Sequence, residues 1–101
     1  MLPENRCPVH PGEILRYEFL EPLHITQQQF ADAIGVTRVR INEIILGKRS
    51  VTPDTAFRLS KILNTTPEFW INLQMNRDMW KTFQSHKKEY ERITSTVATT
   101  M

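Results

Sequence analysis

Three features of the 101-residue sequence predict an all-α fold. Apolar residues recur at the three-to-four spacing of amphipathic helices. Four threonines, Thr26, Thr37, Thr52 and Thr66, each stand directly before such a stretch, where a hydroxyl caps a helix start. Glycine is scarce, with three in the chain, and no run reads as a strand, which argues against a turn-rich β-sandwich. At roughly 100–200 residues per domain, residues 1–101 form one domain. A hydrophobic content of 40% is too high for disorder.

The first helix opens at Pro11-Gly12-Glu13 and carries Ile14, Leu15, Phe19 and Leu20. Pro22 disfavours helical backbone at Glu21 and stops it. Thr26 and Gln29 form a capping box for the second helix, whose buried stripe is Phe30, Ala31 and Ile34. Gly35 ends it, since glycine takes a left-handed conformation without steric cost. Thr37 caps a third helix with one apolar side, Ile41, Ile44 and Ile45, and Gly47 terminates it. Thr52-Pro53-Asp54 combines cap, first-turn proline and an acid on the helix dipole. Ala56, Leu59, Ile62 and Leu63 follow, with Asn64 as the stop. Thr66-Pro67-Glu68 repeats that start for a longer fifth helix, whose buried side is read as Phe69, Trp70, Leu73 and Trp80. Lys87 to Arg92 mixes signs and reads as a solvated helix end; residues 93–101 are expected to fray.

Two helices joined by a tight glycine turn, the second one basic, form a helix-turn-helix pattern over residues 27–46. Between Thr37 and Arg49 the chain carries Arg38, Arg40, Lys48 and Arg49 against Glu43, so the positive charge of a chain with net +2 is concentrated in one segment. Projected at about 100° per residue, the isoleucines define the buried side of the third helix. Val39 and Glu43 lie opposite, and Arg40 and Asn42 on the flanks. Arg38 sits in the first turn, where a recognition helix reaches base edges. Arg38 and Arg40 can each donate two hydrogen bonds to guanine, Asn42 can pair with adenine, and Val39 suits a thymine methyl. Lys48 and Arg49 are placed to clamp phosphate, and Thr37, Gln27 and Gln28 sit at helix starts near the same surface. A protein-interaction module whose basic face meets an acidic partner is the competing reading.

Other chemistry finds little support. The longest aliphatic run, Ile44-Ile45-Leu46, falls far short of the ~20 residues of a membrane span. Met1 to Cys7 contains Glu4 and Arg6 and no apolar stretch, so no signal peptide is expected there. The single cysteine, Cys7, forms no internal disulfide, which fits a reducing, cytoplasmic setting. His10, His24 and His86 lack ligand spacing, and His10 reads as a loop residue before a helix, so no metal and no cofactor are expected. Phosphate-binding loops and nucleophile motifs are missing, so the chain does not read as an enzyme. Trp70, Met75, Met79 and Trp80 exceed what a five-helix monomer can bury, which favours a dimer interface over a ligand pocket.

Four blocks of sequence resemble HigA/VapI-type antitoxins. They are His10-Pro11-Gly12-Glu13-Ile14-Leu15; Arg40-Ile41-Asn42-Glu43-Ile44 followed by Gly47-Lys48-Arg49; Thr52 to Leu59; and Pro67-Glu68-Phe69-Trp70-Ile71-Asn72-Leu73-Gln74. The resemblance spans residues 10–74. It implies a Cro/phage-repressor-like five-helix fold with a C-terminal helical extension and dimeric binding to operator DNA through Arg38, Arg40 and Asn42. It also implies repression of a toxin–antitoxin operon and neutralisation of a HigB-like, RelE-type toxin that cleaves messenger RNA. A member can also act as a stand-alone repressor without a toxin. Beyond Gln74 the extension has no sharp motif, and Met79-Trp80 stands where a tyrosine or leucine is common.

Overall fold

Every helix begins where a side chain takes up backbone N–H groups that a helix start leaves open. The computed structural model describes residues 6–97, which form five helical segments and no strand. Helix α1 (Pro11–Ile14) is capped by His10, whose Nδ1 accepts the Gly12 N–H at 2.9 Å. His10 is thus the non-helical residue before the helix that the sequence predicts, and it is in addition a buried cap. The helix continues as a wider π-helical stretch, Leu15–Leu20. Winding through i→i+5 bonds brings Leu15 and Leu20 to the same buried side, which an ordinary helical projection does not foresee.

Helix α2 (Gln27–Ile34) carries both bonds of the expected capping box, each 3.0 Å long. Helices α3 (Arg38–Ile45), α4 (Pro53–Leu63) and α5 (Pro67–Glu91) start at Thr37, Thr52 and Thr66, as the sequence predicts. Left-handed Gly35 ends α2 and left-handed Asn64 ends α4.

Leu15, Phe30, Ala31, Ile41, Ile44, Ala56, Leu59 and Trp70 form the centre of the core. At Gly12 the packing is backbone on backbone: a Cβ there would lie 1.9 Å from the Ile44 carbonyl oxygen. Trp70 is 0% exposed, and its Nε1–H donates to Thr65 Oγ1 at 2.7 Å. This overturns its assignment to a dimer interface, because a side chain enclosed by its own chain has no surface to offer. Phe69 and Ile62, read as buried, are instead among the exposed large side chains; Phe69 meets Trp70 edge-on at 5.0 Å.

Helix α5 changes character along its length. Near its start, buried Gln74 accepts the Val51 N–H and donates to Asp78, and Arg77 donates to the Pro8 carbonyl. From Lys81 onward every described residue is exposed. A non-helical residue, His86, bends the segment, beside Phe83 and Tyr90 stacked at 6.1 Å. This projecting arm gives the molecule its 54 Å long axis. Residues 93–97 are exposed and non-helical; the rest of the expected frayed tail, and Met1 to Asn5 of the segment examined for a signal peptide, lie outside the described residues. No helix among the described residues is long and apolar enough to cross a membrane.

Candidate nucleic-acid interface

The turn between α2 and α3 is built by Gly35, at φ 76°, whose N–H and that of Val36 both donate to the Ala31 carbonyl. Fully buried Ala31 forms part of the core beside α3. The Thr37 hydroxyl accepts the Arg40 N–H at 3.1 Å and starts α3 immediately after the turn. Ile41 and Ile44 are completely buried and Ile45 nearly so. With that side fixed, the rest of the helix surface is held outward: Arg38 in the first turn, Val39 (67% exposed) and Asn42 on one flank all face solvent, and Thr37 is exposed beside them. Three side chains suited to a guanine, a thymine methyl and an adenine thus share one presented surface.

The basic residues divide into two kinds. Among the described residues, Arg38 and Lys48 have no ion-pair partner. Arg49 donates through Nε and Nη2 to Glu43 Oε1, at 3.1 and 2.8 Å. An exposed pair of that kind contributes ~0–1 kcal/mol, so a phosphate can displace Glu43 at little cost. Arg40 is different. Its Nη2 donates to the buried Thr55 hydroxyl and to Asp54 Oδ2, both on α4. In this structure the guanidinium is engaged by its own protein, unlike that of Arg38 on the presented surface. On α2, Gln28 donates to Asp32 at 2.8 Å, and half-buried Gln27 has an Oε1 without a partner among the described residues.

Known proteins share this arrangement. Residues 17–70 match the helix-turn-helix family. Antitoxin HigA-1 of Vibrio cholerae is 41% identical over 85 residues, covering 84% of this chain and 80% of that protein. The chain belongs to the HigA/VapI-type helix-turn-helix family. The uncharacterized regulator YbaQ of Escherichia coli is 38% identical over 87 residues, 86% of this chain and 77% of that protein. Among solved structures, Pseudomonas aeruginosa antitoxin HigA with the higBA promoter superimposes with a TM-score of 0.84 at 33% identity, covering 90% and 99% of the two chains. Antitoxin GraA in complex with its operator gives 0.86 at 39% identity, covering 97% and 100%. HigA/VapI-type proteins are non-enzymatic DNA-binding regulators.

Two features of this HigA/VapI-type chain escape a reading of residue types. One is the pair of α4 residues, Asp54 and Thr55, that receives Arg40. The i, i+4 pair of Asp54 with Arg58, at 2.9 Å, is visible in the sequence, but the approach of Arg40 requires the tertiary fold. The other is the division of the aromatic surplus on α5. Met75 and Met79, each 53% exposed, point away from the core, whereas Trp80 is half-buried, on the flank shared with Leu73 and Arg77. No cluster of three or more metal-ligating side chains occurs among the described residues.

Proposed function

We propose that this chain is a cytoplasmic, operator-binding repressor of antitoxin type that acts as a homodimer and neutralises a HigB-like, RelE-type messenger-RNA-cleaving toxin. The observation that carries the DNA part is the outward surface of α3, where Arg38, Val39 and Asn42 are exposed while three isoleucines hold the helix to the core. Thr37, Gln28, Lys48 and Arg49 border it and supply contacts to phosphate. The likeness to relatives solved with a promoter and with an operator supports the same docking here. The antitoxin part rests on the likeness to antitoxin HigA-1. The likeness to YbaQ supports the second reading, a repressor without a toxin. The gene adjoining that of this chain separates the two: a reading frame for a small ribonuclease-like protein favours the antitoxin.

One recognition helix spans few base pairs, so tight binding needs two, with centres roughly 34 Å apart. Met75 and Met79 offer an apolar surface for the two-fold contact, continued by half-buried Ile71 and exposed Phe57 at the junction with α4.

The test is binding to duplexes that the protein itself selects from a random pool, compared with unselected DNA. Arg38→Ala and Asn42→Ala should each cost ~1–3 kcal/mol on selected duplexes and relax one base preference, with little change on unselected DNA. Lys48→Ala should weaken both alike and lower the salt slope by ~0.9. Equal losses on both DNAs for Arg38 and Asn42 would remove their base-reading role.

A further inference from the structure

We infer that Asp54 is a positioning residue that aims the recognition helix, joining α2, α3 and α4 through two arginines. A single oxygen, Oδ2, receives Arg40 Nη2 at 3.4 Å and Arg58 Nε at 2.9 Å. Arg58 extends the connection, since its Nη1 donates to the Ile34 carbonyl at 2.7 Å. That carbonyl belongs to the last residue of α2, where helix ends leave oxygens without intrahelical donors. Arg40 closes the other side, because the same Nη2 reaches the buried Thr55 hydroxyl. The path thus runs from the end of α2 through Arg58, Asp54 and Arg40 to the flank of α3. It crosses the angle between the two helices of the helix-turn-helix.

The chemistry argues for position over stability. Asp54 is 62% exposed in its side chain, and exposed ion pairs add little to folding. A carboxylate beside a phosphate-facing surface also repels DNA. A group unfavourable for binding and only modestly stabilising for the fold has a further role if it fixes where Arg38, Val39 and Asn42 point. The Arg58 hydrogen bond, and secondarily Arg40, hold the Asp54 carboxyl below the usual carboxylate range, so it stays ionised near neutrality.

This inference rests on the operator-binding reading, and one experiment distinguishes their failures. The full chain and its Asp54→Ala variant are compared on duplexes selected by the unmodified protein and on random duplexes, across a salt series. Asp54→Ala should keep its helical circular dichroism and lower the selected-to-random affinity ratio about tenfold, the size of one lost base contact. Binding to random DNA should tighten, and the salt slope should steepen by ~0.9 for each guanidinium released to a phosphate. A role in folding alone would lower both affinities together. Adding Arg40→Met should abolish most of the further effect of Asp54→Ala, because the two act in one path. If selected and random affinities rise in step with the ratio unchanged, Asp54 is only a repulsive surface acid and the inference fails. If the unmodified protein selects no sequence, the operator-binding reading fails first. Should the alanine variant not fold, Asp54→Asn, which keeps the side-chain size but removes the charge, carries the same comparison.

Discussion

Trp70 and Trp80 lie on one helix and in two different solvents. Trp70 is enclosed between Phe19, 5.7 Å away, and Phe69, and its indole N–H has an acceptor in Thr65. Trp80 is half-buried, and its Nε1 is buried without an acceptor among the described residues. The first anchors α5 to the body; the second stands where the body ends and the projecting arm begins. One helix thus serves as a core element and as an exposed extension, and helical periodicity alone does not divide the two roles.

The sharpest way to break this contrast is to remove each indole. Trp70→Ala should cost ~3–5 kcal/mol, a large share of the ~5–15 kcal/mol that holds a domain together, and shift the urea midpoint accordingly. Trp80→Ala should cost well under half as much, because less surface is buried. Losing an unpaired buried N–H, itself a liability of ~1–3 kcal/mol, offsets part of the change. Equal losses would place both residues in one core. Next in size, Met75→Arg with Met79→Arg should leave the urea midpoint of the monomer within ~1 kcal/mol of its starting value. The same pair should shift sedimentation from dimer toward monomer and weaken operator binding through mass action. A variant that remains dimeric would move the interface elsewhere.

The smallest effect concerns the opposite end of the chain. Burial, with Arg77 next, pushes the His10 imidazole below its ordinary value; Lys81 adds to this, while Glu13 and Asp78 oppose it. Above about pH 6.5 folded and unfolded chains both hold a neutral histidine, so the full stability is present. As pH falls below that point the unfolded chain takes up a proton that the folded chain resists, and stability declines until the folded imidazole also titrates. The loss should not exceed the ~1 kcal/mol of a helix cap. His10→Asn, which keeps a capping acceptor, should flatten urea midpoints between pH 7 and 5, approximate bounds set above the carboxylate range.

The sequence made legible whatever is decided within one turn of a helix. Thr26, Thr37, Thr52 and Thr66 announce their helices because a cap reaches only three residues onward, and Gly35 and Asn64 announce the ends for the same reason. The outward set Arg38, Val39 and Asn42 was legible because three isoleucines fix the phase of α3. The engagement of Arg40 is not legible because its partners are on a different helix, and the local phase of a flank residue does not say whether another element covers it. His10, Trp70 and the wider winding of Leu15–Leu20 depend likewise on what packs against them. The bend at His86 has no proline or glycine to mark it.

The contact at Gly12 has a mechanical consequence. Side chains in a core yield to strain by changing rotamer, so an interface made of them is compliant. Where α1 meets the end of α3 there is no side chain to yield: the backbone of Gly12 lies against the carbonyl of Ile44. That contact acts as a hard stop on the tilt of α3. Replacing a core isoleucine by valine loosens the cushion around the helix but leaves the stop in place, so its seating on α1 survives substitutions that soften the interior.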